Sequence, residues 1–446
     1  MVTPPYPKPV TKYSSVLPLI LNLRRDPISA WADIHFSELT VSGNSIFGYG
    51  AVTSDPIIIR HILVNNAKNY EKDKYQNRLV KPGLGTGLFT TEGEKWRTQR
   101  KAMSALFTTR MTQSYSATFH VESKKILEDT LKQNVGKTVD LAPIVSELTL
   151  NCLNGSIFRN SLPDEAAVFS SSVDRYLQFA GSLDVMDLIG VPEWFPRLSR
   201  IRGNKELRFA ERAASEMLQT FQTRNSTKEL SLLGALSQKE FEILDTDIKA
   251  NIITFIAAGH ETTSNAILWT IFLVSSHPDV LEKVLEELDQ IDLQAEVSSG
   301  WYEKLPFLMA CFFEAMRLYP PAAVISRQAI GADYIEGINI PKGGTIFMPP
   351  YVVHRHKKLW CKPNQFSPQR FVGTNVLNDK KFSYMPFGVG PRICIGKSFA
   401  TLEGITILAM FLKHFTFSPD QMRIPEPIQK ITLRSKNGFW MTVKER

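Results

Sequence analysis

The chain has 446 residues, 43% of them hydrophobic and 22% charged, which is enough apolar material to bury a large core without disulfides or metals as staples. A formal net charge of +8 suits an acidic protein partner, a nucleic acid or an anionic membrane, but the absence of any run of five basic residues and of zinc-finger or RNA-binding signatures excludes nucleic acid as a partner. Cys152, Cys311, Cys361 and Cys394 lie far apart without paired spacing, which argues against a zinc site or a disulfide framework and for a reducing, cytoplasmic setting.

Prolines 4, 5, 7 and 9 open the chain, and the apolar run from Val16 to Leu23, interrupted by Pro18 and Asn22, is too short to span a bilayer or to act as a signal peptide. Glu38 to Val41 and Ser45 to Tyr49 read as strands joined through Gly43 and Asn44. Ser54-Asp55-Pro56 marks a helix start, a capping side chain before a proline at the first helical position. From Glu92 to Leu288 helix follows helix, broken at clusters such as Gly190-Val191-Pro192. One helix, Asp245 to Ser276, is stopped by Pro278 and is expected to run about 45 Å. Its apolar stretch from Ile252 to Val274 resembles a membrane span, yet the middle carries His260, Glu261, Thr262, Thr263, Ser264 and Asn265. An ionisable group at a bilayer centre costs roughly 3 kcal/mol, so a buried central helix is the better reading and no transmembrane anchor is expected.

Tyr302 to Leu318 is a further helix, ended by Pro320-Pro321, after which short β-like runs appear at Asp333 to Ile340 and Thr345 to Val353. Ser398 to His414 returns to helix, with Phe399, Leu402, Ile405, Ala409 and Leu412 at helical spacing. Without internal repeats or long linkers, the pattern predicts one mainly α-helical domain over residues 1–446, monomeric, with a Pro-rich segment over 1–12 and small β regions near the N-terminus and after Pro321.

The most informative segment is Phe387-Gly388-Val389-Gly390-Pro391-Arg392-Ile393-Cys394-Ile395-Gly396. Two glycines and a proline force a tight turn, and the thiol follows just before a helix. Backbone N–H groups and the helix dipole there favour a thiolate, and glycines 388, 390 and 396 permit close approach of a flat ligand. The other three cysteines read as buried small hydrophobes.

This segment resembles the haem-binding signature F-x-x-G-x-R-x-C-x-G of the cytochrome P-450 family, of the soluble bacterial type, matched at Phe387, Gly390, Arg392, Cys394 and Gly396. The resemblance implies haem b lying between the long helix, at Ala258, and the cysteine loop at Phe387, Gly388 and Gly396. Cys394 is then the axial iron ligand and Arg392 meets a haem propionate. Further motifs follow in the family's order. Glu314 and Arg317 match E-x-x-R and Pro368, Arg370 and Phe371 match P-x-R-F, implying a buried triad on the haem side. Ala258-Gly259-His260-Glu261-Thr262-Thr263 is similar to the oxygen-activation motif, in which Glu261 and Thr262 deliver protons to iron-bound dioxygen. Read from the residues alone, Gly259 thins the helix and the Thr262 hydroxyl turns toward a neighbouring carbonyl, loosening the ladder. His260 reads as a packing residue. Trp96 and Arg100 match W-x-x-x-R and, with Arg327, imply further propionate contacts. His354-x-His356 lacks the additional ligands of a metal site.

The family likeness implies a monooxygenase inserting one atom of O2 into an apolar or amphipathic molecule. With no reductase after Cys394, electrons are expected from NAD(P)H through a ferredoxin-type or flavodoxin-type donor and its reductase. Arg97, Lys101, Arg355, Lys357, Lys358 and Lys397 are expected to dock an acidic donor, or else are merely solvated. By family position, Arg78 to Phe89, Val168 to Leu188, Ile253 to Ala258, Ala322 to Ile325 and Phe439 face the substrate, with Tyr176, Gln178 and Asp184 adding polar recognition. A peroxide-driven haem-thiolate enzyme, or a haem-thiolate sensor without catalysis, keeps Cys394 but does not need the Glu261-Thr262 pair.

Overall fold

A computed structural model describes residues 3–11, 16–45, 48–163, 165–180, 198–224, 230–293, 301–373 and 380–446; the expected break at Gly190 and the candidate Asp184 lie outside them. After helix α1 (Val16–Arg25), strands β1 (Thr40–Ser45) and β2 (Gly48–Thr53) pair antiparallel. The hairpin turns later than expected: Gly43 and Asn44 lie within β1, opposite Gly50 and Tyr49. Cross-strand pairing sets this register rather than local turn preference, and the hydroxyls of Thr40 and Thr53 meet across it at 2.8 Å. Helix α2 (Pro56–Arg60) starts where the sequence indicates, with the Asp55 carboxylate accepting from the Ile57 N–H at 2.8 Å.

Strand β3 (Tyr70–Glu71) leads into the helical body, α3 (Lys74–Leu84), α4 (Gly93–Ser104), α5 (Thr109–Ser114) and α6 (Ser116–Ile126). A short strand β4 (Thr138–Asp140) precedes α7 (Leu141–Ser156), α8 (Ala166–Ala180), α9 (Leu198–Thr223) and α10 (Leu232–Leu236).

The expected single central helix is two: α11 (Asp245–Gly259) and α12 (Glu261–Ser275), separated at His260. The polar notch explains the break. The Thr262 hydroxyl donates to the Ala258 carbonyl at 2.8 Å and that of Thr263 to Gly259 at 3.3 Å, while the Thr149 hydroxyl from α7 reaches the His260 carbonyl at 3.2 Å. Side-chain hydroxyls thus share carbonyls that an unbroken ladder would use alone. Both halves are buried, and Trp269 of α12 stacks on Tyr319 with ring centroids 3.6 Å apart.

Helices α13 (Pro278–Asp289) and α14 (Pro306–Leu318) follow, then strands β5 (Ser326–Ala329), β6 (Asp333–Ile335), β7 (Ile338–Ile340) and β8 (Thr345–Phe347). Strand β8 stops short of the expected Val353 because Pro349 and Pro350 donate no ladder N–H, and the chain turns instead into α15 (Pro350–Val353). Strands β8 and β5 join the N-terminal hairpin in a sheet of order β1-β2-β8-β5-β3, with β2 and β8 parallel.

Helix α16 (Lys397–His414) buries Phe399, Leu402, Ile405, Ala409 and Leu412, as their spacing predicts. Four strands close the chain: β9 (Phe415–Pro419), β10 (Pro427–Gln429), β11 (Leu433–Ser435) and β12 (Trp440–Glu445). The sheet β4-β12-β9 and the β10–β11 hairpin escape sequence reading because runs of three to six residues carry little alternation. The Pro-rich start is tied to the body: the Tyr319 hydroxyl donates to the Pro5 carbonyl at 2.7 Å. Among the described residues, no helix is long and apolar enough to cross a membrane.

Candidate active site

The cysteine loop is held by its own backbone. Gly388 N–H donates to Met385 O at 3.0 Å, Ile393 N–H to Gly390 O at 3.1 Å and Cys394 N–H to Phe387 O at 2.9 Å. Gly388 and Gly390 have φ of +70° and +78°, and a Cβ on Gly390 would lie 2.0 Å from the Leu63 carbonyl oxygen, so no other residue fits there. Cys394 lies deep in the fold and yet is open to a molecule the size of water.

Burial pushes the Cys394 thiol up, against a lowering hydrogen bond from the Gly396 backbone and the charge of Arg100. The expectation of a thiolate favoured by the loop alone is therefore corrected: desolvation outweighs one N–H and one guanidinium. Of the remaining cysteines, Cys152 and Cys311 are buried as expected, whereas Cys361 is exposed, since it lies in a turn rather than on a packed face.

The break between α11 and α12 also carries exposed surface. Ala258 is exposed although Asn251 to Ala257 before it are all buried, and Thr262, one turn on, is partly open on the same face. Phe107 links the cysteine loop to α11, stacking on Phe255 at 5.8 Å while lying 3.9 Å from where a Gly396 Cβ would stand.

The rim carries cations. The Arg392 guanidinium lies 4.0 Å above the Trp96 ring, pairs with Glu92, and keeps a buried Nη1 without a partner. Arg100 donates to the Ile393 carbonyl at 2.7 Å and Arg327 to the Ser326 carbonyl at 2.7 Å. Lys72, 8% exposed and with its Nζ 4.8 Å from the Phe89 ring centre, joins them. Burial together with Arg392 and Arg327 depresses the Lys72 ammonium to about 7, against the pull of Glu92, and burial lowers Arg392 to about 10. Among the described residues, these four cations share little more than Glu92 and Asp73 between them, a surplus that suits an anion with more than one carboxylate. An open thiol, a helix break and a cationic rim fit haem. Lys72 is a site residue that sequence reasoning missed; a lone lysine before an aspartate gives no local signal.

Glu261 is not aimed along the Thr262 face. Its Oε1 accepts from the Thr432 hydroxyl at 2.7 Å and lies 3.9 Å from Arg434 Nη1. Burial first, then Asp174, raises its pKa, while Thr432, Arg434 and His260 oppose the shift. Glu261 is thus held by Thr432 and Arg434 rather than left as a free side chain at the break. His260 is fully buried and packs as expected.

The E-x-x-R triad forms with both oxygens of Glu314 engaged. Arg317 Nε and Nη2 donate to Glu314 at 2.7 and 2.8 Å, and Arg370 Nε and the Ser367 N–H at 3.3 and 2.8 Å. The residues expected at the substrate face differ in exposure. Ala322, Val324, Ile325 and Phe89 keep exposed surface, but Phe439 is 2% exposed, edge-on to Trp269 at 4.9 Å, because β12 carries it into the core. Tyr176 is buried as a wedge: a Cβ on Gly83 or Gly203 would stand 1.9 or 2.9 Å from its ring. Gln178 is exposed.

The expected basic docking face also shrinks. Arg355 is 3% exposed, its guanidinium 4.2 Å from the Tyr351 ring centre, because α15 turns it inward. Lys357 and Lys358 pair with Asp33 and Glu38 at 3.0 and 3.1 Å, and Arg97 pairs with Glu94. Lys101 and Lys397 stay exposed. His354 accepts from the Met385 N–H on the segment leading to the cysteine loop, and His356 accepts from the Lys358 N–H within its own turn.

The cytochrome P-450 family model matches residues 49–441. The chain is 30% identical over 384 residues to the human cytochrome P-450 4B1, covering 81% of this chain and 75% of that protein. It is 28% identical over 428 residues to the human cytochrome P-450 4F12, covering 88% and 80%. To the cytokinin hydroxylase of Arabidopsis thaliana it is 28% identical over 412 residues, covering 87% and 77%. Human and plant relatives lend no support to the bacterial type in particular. A family match across nearly the whole chain, joined to a cysteine loop tied through Phe107 to a broken central helix, makes this protein a member of the cytochrome P-450 family and an oxidoreductase of the haem monooxygenase kind.

Proposed function

We propose that the protein binds haem b through Cys394 and inserts one atom of O2 into an apolar or amphipathic small molecule, drawing electrons from NAD(P)H through a separate ferredoxin-type or flavodoxin-type donor. The observation that carries this reading is the exposed Cys394 in its glycine loop, tied through Phe107 to α11, the helix that ends at the break where Ala258 and Thr262 keep exposed surface. When bound, haem supplies dioxygen activation, which thiolate donation to iron assists.

The protein's own residues do the rest. Lys72, Arg100, Arg327 and Arg392 hold the cofactor's carboxylates, with Trp96 stacking beneath Arg392. Thr262 holds a proton at Oγ1, parked on the Ala258 carbonyl, and Glu261 resupplies it from behind the break. Ile325, 3.8 Å from where a Gly388 Cβ would stand, together with Val324 and Phe89, presents apolar surface to substrate and excludes water. The hydroxylase name of the Arabidopsis relative supports hydroxylation as the outcome. Lys101 and Lys397 are left to meet an acidic donor, and a turnover rate indifferent to ionic strength would remove that electrostatic role.

The test is the reduced carbon-monoxide spectrum of the purified protein beside Thr262→Ala. A thiolate-type band in both, lost in Cys394→Ala, with Thr262→Ala diverting most electrons from product to peroxide, is the expected result. An imidazole-type band in the unaltered protein overturns the assignment.

A further inference from the structure

The break in the central helix is clamped from α8 by a buried histidine that the relay does not use. His260 is fully buried at the break. Its Nδ1 meets the Ile256 carbonyl at 2.6 Å, and an imidazole nitrogen facing a carbonyl must carry the proton. Its Nε2 lies 2.9 Å from the Ser170 hydroxyl and 3.6 Å from Asp174 Oδ2, both on α8. Asp174 keeps a second oxygen, Oδ1, buried without a partner.

Two residues after Asp174, Tyr176 fits between Gly83 of α3 and Gly203 of α9, where a methyl group on either glycine would collide with its ring. Helix α8 is therefore keyed to α3 and α9 on one side and to the break on the other. Glu261 and Thr262 are the next residues along the chain.

We propose that Asp174, Ser170 and His260 form a clamp through which α8 sets the geometry of the helix break and so positions Glu261 and Thr262. Asp174, Ser170 and His260 are positioning residues: they contact one another and the helix backbone, and they act by fixing the backbone from Ile256 to Ser264. The charged and polar groups around the imidazole are Asp174 and Ser170 from α8, Glu261 on its own helix with Arg434 and Thr432 behind it, and Thr149 from α7, which holds the His260 carbonyl. Burial disfavours the imidazolium, but Asp174, the Ile256 carbonyl and Glu261 together outweigh it and raise the His260 pKa, so the clamp is strongest when the ring is protonated and both nitrogens donate.

The positioning role rests on the proton-relay reading above, but the clamp itself is testable without it. Amide hydrogen exchange of the segment from Ile256 to Ser264 is measured on the haem-loaded, substrate-free protein, for the unaltered chain and for Asp174→Asn, Asp174→Glu and Ser170→Ala. The expected result is exchange about tenfold faster in Asp174→Asn, near-normal exchange in Asp174→Glu, and unchanged exchange in α16. In the same variants, peroxide released per electron pair should rise in Asp174→Asn and return in Asp174→Glu, with the carbon-monoxide spectrum unaltered. Exchange unchanged in both Asp174→Asn and Ser170→Ala overturns the clamp. Faster exchange without any change in peroxide yield keeps the clamp and overturns its link to Glu261 and Thr262. An imidazole-type carbon-monoxide band in the unaltered protein would instead sink the relay reading alone.

Discussion

Replacing Glu314 by glutamine should be among the most damaging single-atom changes in this protein. Four donors converge on its carboxylate, three at 2.7–2.8 Å and Arg370 Nε at 3.3 Å. Both Glu314 and Arg317 are 0% exposed. Glutamine keeps the shape, loses the charge and turns an NH2 toward donors, leaving Arg317 to the carbonyls of His354, Pro363 and Gln365 and the face of Trp360. An uncompensated buried guanidinium costs about 3–5 kcal/mol. Arg370→Ala removes the 3.3 Å bond to Glu314 and a 3.1 Å bond to the Lys362 carbonyl from a side chain that reaches solvent, and should cost about 1–2 kcal/mol. The assay is the urea midpoint for loss of the haem absorption band at constant protein and salt concentration. Because the damage is a stranded charge, Glu314→Gln with Arg317→Met should be less harmful than the two singles added, by about 1–3 kcal/mol. A Glu314→Gln midpoint equal to that of Arg370→Ala, or strict additivity in the double variant, would refute the argument.

Two further outcomes follow from geometry and charge. Gly390→Ala places a methyl 2.0 Å from the Leu63 backbone oxygen, which cannot swing aside, and should abolish the thiolate-type carbon-monoxide band, whereas Gly388→Ala meets only Ile325 at 3.8 Å and should cost about 1–2 kcal/mol of backbone strain; equal haem content in the two variants would contradict this. Burial, reinforced by Arg317 and Arg355, pulls the His354 imidazole down from 6.5 to about 3. The folded protein then refuses a proton that the unfolded chain accepts below pH 6.5, so stability complete above that pH should fall as pH drops toward 3, by about 1.4 kcal/mol per unit from this residue. His354→Gln, which can still accept from the Met385 N–H, should flatten the slope of denaturation midpoint against pH; an unchanged slope would show that His354 does not govern it.

The sequence by itself determined those parts of the site whose chemistry is local. A glycine-proline turn delivering Cys394 to a helix start, the three-residue spacing of Glu314 and Arg317, and hydroxyls following a glycine at 259 each shape the backbone through neighbours in the chain, so all are legible before folding. Even the loosening at Thr262 was visible, because a threonine hydroxyl reaches the carbonyl four residues back.

What only the tertiary structure decided is everything that depends on a partner distant in sequence. Whether the helix bends or breaks at His260 depends on Thr149, Ser170 and Asp174, about 90 to 110 residues away. Glu261 turns toward Thr432, 171 residues on, since a buried carboxyl takes the nearest donor. Lys72 and Glu92 become part of the cofactor rim because β3 and the start of α4 bring them to Arg392. Arg355 leaves the expected docking face because α15 turns its guanidinium between the rings of Tyr351 and Tyr319. Charge and burial are properties of neighbourhoods, and neighbourhoods are made by packing, which no local pattern of residues encodes.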